Sequence, residues 1–451
     1  MTKTQVFKLS KRTISILIFV LFSGFLFLGF YRNQWKVADQ SWFQNFQRDS
    51  ESLIMGRLVK SRQDGIFSSS GLPGMGVGLS AEGQYEAYFS NERFNSYEPY
   101  RSQIGGQGIF FSIIDSISPF HTIDNFRIYR GITSLLTSVA LSSIILWFYN
   151  QLGLFSALAV FITTLLSQWL TVFGRNLWWG LWAFYLPMII SMYYLAYEDR
   201  RGRLSNKTFV FLVSMSVFIK TLFNGYEYIT TTLVMMVVPL IYYAIQYTWH
   251  FRVLIKRFLL VTLGAIASIL ISLTILSYQL SYIEGSLGGG FEYLIYTLGK
   301  RTYGDPNLYP EIYQKSLNAD LFSVVTKYFN GTVIELNNIF HMDHQWIINA
   351  FSIKFKDVIF LFLIATLVAI FIKRTRKRKT ETAKKLLALI GATWFAILAP
   401  LSWFIIFKSH SYIHGHMNYI TWHMPFTLFG FALIAFVTQQ AFYSLRTIRH
   451  T

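Results

Sequence analysis

Four of the chain's nine histidines fall in one stretch, FKSHSYIHGHMNYITWHMP (Phe407 to Pro425). They are His410, His414, His416 and His423. His410 and His414 are four apart and would share one face of a helix. His416 joins them only if the chain bends at Gly415. A zinc centre needs three or four neutral ligands with a supporting shell. This stretch offers no fourth ligand, and the Lys408 cation stands close by. Three readings follow: a metal centre, a plain loop at a membrane interface, or a grip for an anion. In the last, Lys408 and His410 hold a phosphate, with His414 and His416 in support, and an imidazole protonates the departing group. His423 reads as a packed residue.

Other ionisable and polar groups fall into five short stretches. Asp49 and Glu51 lie in NFQRDSESLIMGRLVKSRQDG (Asn45 to Gly65), whose apolar residues have rough helical spacing. Asp49 could act as a general base on a hydroxyl or as a ligand of a divalent cation, with Glu51 as the second candidate. The competing reading is structural, with Asp49 or Ser50 capping the helix. Arg175 is a lone cation in FGRNLWWGLWAFYLPM, where the tryptophans read as an interfacial belt. Its guanidinium is shaped for a phosphate or can snorkel to the interface. Lys220 and Glu227 flank the turn of IKTLFNGYEYITT, either as an ion pair or as substrate ligands. Gln103 and Gln107, in YRSQIGGQGIFFSI, could bond sugar hydroxyls. HMDHQW adds His341, Asp343 and His344, a weaker metal candidate.

These residues must be positioned by membrane helices. The chain has 451 residues, 53% hydrophobic and 14% charged. Many apolar runs reach the roughly 18 residues needed to span a bilayer. With no cysteine, disulfides and a thiol nucleophile are excluded. The pattern predicts an all-α polytopic membrane protein forming a single integral-membrane domain over residues 1–451. About ten spans are expected, near 13–31, 127–149, 153–173, 177–197, 208–224, 228–247, 257–280, 357–373, 385–407 and 417–440. The first reads as a retained span rather than a cleaved signal.

The formal charge of +18 sits mainly in alternate loops: Arg200 to Lys207, Arg252 to Arg257, Lys373 to Lys385, and the C-terminal Arg446 and Arg449. This asymmetry places those loops and both termini in the cytoplasm, and it accounts for the charge without nucleic acid. Two long outer loops follow, residues 32–126 and 281–356, with interface helices such as Ile109 to Ile117. The short cytoplasmic loops carry no nucleotide-binding motif. Chemistry or transport at the outer face is the inference.

A carboxylate in the first outer loop, just after the first span, resembles the pattern of the GT-C superfamily of membrane glycosyltransferases. The span count and the long first outer loop are similar too. DSE stands here where the superfamily often has an adjacent acidic pair. The resemblance implies transfer of a sugar from a polyprenyl-phosphate carrier to a glycan, glycolipid or protein acceptor, at the outer face of a bacterial cytoplasmic membrane. It implies Asp49, then Glu51, as base or metal ligand, and Lys408 and His410 as phosphate ligands, with inversion at the sugar. No cofactor is required beyond a candidate divalent cation. The rival readings are an O-antigen-type glycan polymerase, which would rely on outer arginines, and a lipid-linked glycan flippase or transporter.

Overall fold

The computed structural model describes residues 10–202, 204–335, 352–375 and 381–448. His341, Asp343 and His344 lie outside them, as does part of the basic loop between Lys373 and Lys385. In chain order, α1 (Lys11–Arg32) leads to α2 (Gln40–Phe46), α3 (Arg48–Asp64), β1 (Gly74–Gly76), α4 (Ala81–Phe89), β2 (Tyr97–Pro99) and α5 (Gly106–Ile117). The bundle continues through α6 (Thr122–Leu152), α7 (Leu154–Leu165), α8 (Gln168–Gly174), α9 (Leu181–Arg201), α10 (Asn206–Asn224), α11 (Ile229–Gln246) and α12 (Phe251–Glu284). Next come α13 (Leu287–Arg301), α14 (Glu311–Leu317), α15 (Leu321–Phe329), β3 (Thr332–Glu335) and β4 (Ser352–Lys354). The chain closes with α16 (Phe355–Thr375), α17 (Glu381–Ala396), α18 (Leu398–Ile406), α19 (Lys408–Ile413) and α20 (Phe426–Ile448). Sheet is confined to two antiparallel pairs, β1–β2 and β3–β4, among the described residues.

Helices stand at all ten expected positions. Eight among the described residues are long and apolar enough to cross a bilayer, and α7 with α8 would make a ninth despite a 69° bend. The helix in the fourth position, α9, is less apolar because it carries Tyr185, Tyr193, Tyr194 and Tyr197. The last span begins later than expected: Asn418–His423 is a 3₁₀ turn and the long helix starts at Phe426. The chain is thus a helical membrane protein.

Small residues let these helices approach closely, which is the usual packing logic in lipid. Ser134, Thr137, Ser138, Ala140 and Ser142 of α6 are buried. A Cβ at Gly264 of α12 would meet Ser214 Oγ of α10 at 2.2 Å. Large aromatics fill the remaining core: Trp147 donates to Tyr243 Oη at 3.2 Å, and Trp403 and Trp422 are fully buried. At the end bearing the basic turns, Arg257 of α12 and Glu198 of α9 form a bidentate pair at 2.6 and 2.8 Å. The long segments gather at the other end, where α3, the α8–α9 and α10–α11 turns, α13 to α15 and α19 are joined by the bonds described below.

Candidate functional site

The α10–α11 turn is the centre of this end. Asn224 Nδ2 donates to Trp179 O, and Gly225 and Tyr228 take positive φ angles of 53° and 50°. Tyr228 is fully buried, stacks on Trp179 and donates to Asn418 Oδ1 at 3.0 Å. Its packing holds a backbone conformation that a tyrosine would otherwise avoid. Lys220 is also fully buried, and its ammonium donates to Gly225 O at 2.8 Å and Glu227 O at 2.6 Å. Lys220 therefore pairs with backbone carbonyls rather than with the Glu227 carboxylate. It clamps the turn that presents Glu227.

The Glu227 carboxylate meets Arg301, at the C-terminus of α13, at 2.7 Å. Arg301 also donates to Tyr100 Oη at 3.0 Å. His410 Nε2 lies 3.6 Å from Glu227 Oε2, and its ring is 4.5 Å from that of His414. His416 continues the row, its ring 6.1 Å from His414 and stacked on Phe46. Asp49, exposed in the first turn of α3, faces His414 and His416 closely enough to act on both electrostatically. The row thus runs Arg301, Glu227, His410, His414, His416, with Asp49 beside its far end.

Burial pushes the Glu227 carboxyl up, but the Arg301 guanidinium leads the effects that bring it down to about 2. Burial drives His410 well below the ordinary imidazole range, with Glu227 opposing and Arg301 reinforcing the shift. Burial likewise lowers His414, against Glu227, and lowers His416 together with Lys327. The row is therefore a carboxylate–guanidinium pair continued by neutral imidazoles at pH 7. Glu227 Oε2, His410 Nδ1, His414 Nδ1 and Trp403 Nε1 are buried without a hydrogen-bond partner. Native interiors satisfy nearly all such groups, so four orphans in one cluster are an unmet demand for a polar ligand.

An apolar groove of about 340 Å³ opens beside Arg301. Ile229 and Leu233 of α11, Ile269 and Leu273 of α12, and Phe291 and Leu298 of α13 form its walls. Tyr226, Ser102 and Arg301 stand among its few polar lining groups. Lys300 precedes Arg301 and lies over the Tyr313 ring.

Several expected site residues are occupied otherwise. Glu51 is fully buried: it pairs with Arg130 at 2.5 Å and accepts from Tyr85 Oη at 2.7 Å and Leu177 N at 3.2 Å. Lys408 donates to Leu317 O at 2.7 Å and Ala319 O at 2.8 Å, tying α19 to the α14–α15 turn. Gln103 and Gln107 are buried and bonded to each other, with Gln107 also reaching Trp178 O. Arg175 bonds Gln47 Oε1 and Tyr31 O and lies over Phe43, with no bond to the histidine row. Neither Asp49 nor Ser50 caps α3, whose N-cap is Gln47 without a side-chain bond. Trp178 and Trp179 are buried rather than belted at an interface, because Asn176 Oδ1 accepts both their N–H groups and turns the loop inward. His423 is packed as expected, between Ser167 and Thr427.

Arg301 is the residue that sequence reasoning passed over. Its only signal was the Lys300–Arg301 pair closing GSLGGGFEYLIYTLGKR. Among the described residues no three His, Asp or Glu side chains converge as metal ligands, so Asp49 and the histidines do not assemble a cation site. Compared with protein-family models, curated proteins and solved structures, the chain matches none.

Proposed function

We propose that the chain is a membrane glycosyltransferase that uses a polyprenyl-phosphate sugar at the outer face of a cytoplasmic membrane. The basic turns then face the cytoplasm, in keeping with the positive-inside rule. One observation carries the reading: an apolar groove that ends at Arg301, next to a buried row of unpartnered polar atoms with an exposed carboxylate, Asp49, at its far end. The groove suits a polyprenyl tail and Arg301 suits its phosphate, since a guanidinium matches phosphate oxygens in a bidentate fork. Glu227 holds Arg301 in place.

In the reaction, Asp49 takes the proton of an acceptor hydroxyl as its oxygen bonds to the sugar's anomeric carbon. The bond from that carbon to the carrier phosphate breaks, and the charge developing on the leaving oxygen falls to Arg301 and Lys300. His410 and His414, neutral before the donor arrives, can each turn a ring N–H to the phosphate as a hydrogen-bond donor. Lys408 and Lys220 keep their carbonyls and stabilise the scaffold. The polymerase reading keeps some weight because the cation at the groove is an outer-loop arginine. Both readings use the groove; they differ over Asp49.

The test is consumption of a labelled polyprenyl-phosphate sugar by the purified full chain. Asp49→Asn is expected to lower transfer by about 10²- to 10⁴-fold, the range of a general base, with the protein still folded. Full transfer by Asp49→Asn, combined with loss in Arg301→Gln, would favour the polymerase. No donor consumption by the unaltered chain would sink both readings.

A further inference from the structure

A second cavity of about 320 Å³, lined on one side by α2 and the start of α3, has no role in the site just described. Arg48, Arg130 and Arg175 line it, together with Gln44, Tyr85 and Glu86. The three arginines are not equivalent. Arg48 pairs with Glu82, and Arg130 pairs with buried Glu51. Arg175 has no carboxylate within ion-pair range among the described residues. It makes two hydrogen bonds, both to neutral oxygens, on Gln47 and Tyr31. Burial and the nearby Arg130 draw its pKa down to about 10, with the Glu51 carboxylate opposing the shift. The remaining carboxylate, Glu86, is exposed at the rim.

Arg175 is therefore the one arginine of this wall without a carboxylate partner among the described residues. Primary amides and aromatic faces make up much of the remaining wall, the pairing that recognises sugar hydroxyls and the apolar face of a pyranose ring. The volume lies at the small end for ligand sites. Arg48 reaches the cavity from the first turn of α3, the turn that also carries the proposed base Asp49.

We infer that this cavity is the acceptor site and takes a sugar carrying a carboxylate or phosphate, whose anionic group sits on Arg175. The assignment rests on the transferase reading above and deepens it. The donor enters from the Arg301 groove, the acceptor from the Arg175 cavity, and α3 presents Asp49 between them. Arg175 thus selects the acceptor instead of gripping the donor phosphate.

The test is saturation-transfer NMR on the full chain in lipid nanodiscs, with methyl glucuronoside, glucose 6-phosphate and neutral methyl glucoside as probes. A saturable signal is expected for at least one anionic probe, at least tenfold tighter than for the neutral one, and weakened at least tenfold in Arg175→Gln. Glu86→Gln changes only an exposed rim residue. It removes a repelling charge and is expected to tighten anionic binding severalfold. Lys300→Gln, next to Arg301 in α13, is expected to leave it unchanged. Equal binding of neutral and anionic probes, no saturable binding, indifference to Arg175→Gln, no tightening in Glu86→Gln, or loss in Lys300→Gln overturns the assignment. Because the measurement needs no turnover, a chain that consumes donor but ignores the probes loses the acceptor site alone. One that binds the probes but consumes no donor loses the transferase reading.

Discussion

The Glu227–Arg301 pair shows how much a single residue carries here. Glu227 is buried and Arg301 largely so, so each charge depends on the other. Arg301→Met should destabilise the protein by about 3–5 kcal/mol, the usual cost of stranding one member of a buried pair. The double variant Glu227→Gln with Arg301→Met should recover much of that loss, yet remain inactive because the phosphate ligand is gone. Unfolding in detergent with a denaturant series checks both, and equal losses in the single and double variants would mean that the pair is not the unit. The imidazoles add a pH dependence. The folded pKa of His410 lies well below its ordinary value of 6.5, so the unfolded chain binds a proton that the folded chain does not as pH falls past 6.5. Stability from this group is fully present above 6.5 and declines below it, by up to about 1.4 kcal/mol per pH unit. The melting temperature should therefore drop between pH 8 and pH 5.5, and drop less in His410→Gln. An identical pH profile for that variant would remove His410 from the account.

At the scale of elements, α3 is the piece that brings Asp49 to the site, and its seat depends on close approach. A Cβ at Gly56 would stand 2.2 Å from Gly74 O of β1, a backbone atom that cannot step aside. Gly56→Ala should gain about 1 kcal/mol in helix propensity but lose more to overpacking, about 1–3 kcal/mol. The net expectation is a displaced α3 with transfer reduced and donor binding retained, read by turnover against donor affinity. Unchanged turnover would show that α3 tolerates the shift. The helix itself was legible, since residues 45–65 carry apolar residues at helical spacing and α3 spans Arg48–Asp64. Its burial was not. Ten of its residues are buried, Glu51 and Arg57 among them, because α4, α5 and β1 fold back over it and Arg130 and Leu177 close on Glu51. Periodicity within α3 cannot report such cover. The α10–α11 hairpin is a similar case: Asn224–Gly225 announced the turn, but only the fold shows Lys220 bonding carbonyls while Glu227 turns to a different helix.

For the whole molecule, the central expectation concerns sides. The segments bearing the proposed donor and acceptor sites share one end of the bundle, and the basic turns occupy the other. The chain has no cysteine, so single cysteines report sidedness without background. Ser286→Cys, exposed before α13, should react with a membrane-impermeant maleimide on intact cells. Ser205→Cys, exposed before α10, should react only after the membrane is opened. Labelling of both from the same side would break the topology and the outer-face reading with it.

The sequence by itself determined the solvent, the spans and the ends. Long apolar runs leave a chain little choice but lipid, and clustered Lys and Arg distinguish one set of loops from the other, because both are local properties of composition. It also brought forward the stretches that meet at one end: Asp49, Glu227 and the three histidines. Only the tertiary structure decided which charges remain available. Lys408, Lys220 and Glu51 looked as reactive in sequence as Asp49, and Arg301 did not stand out. Their fates depend on the partner each finds from distant parts of the chain: carbonyls for the two lysines and Arg130 for Glu51. A charge buried among partners becomes part of the scaffold, and one left with unsatisfied neighbours or open to a cavity can act on a ligand. That distinction lies in contacts between segments, which no local pattern encodes.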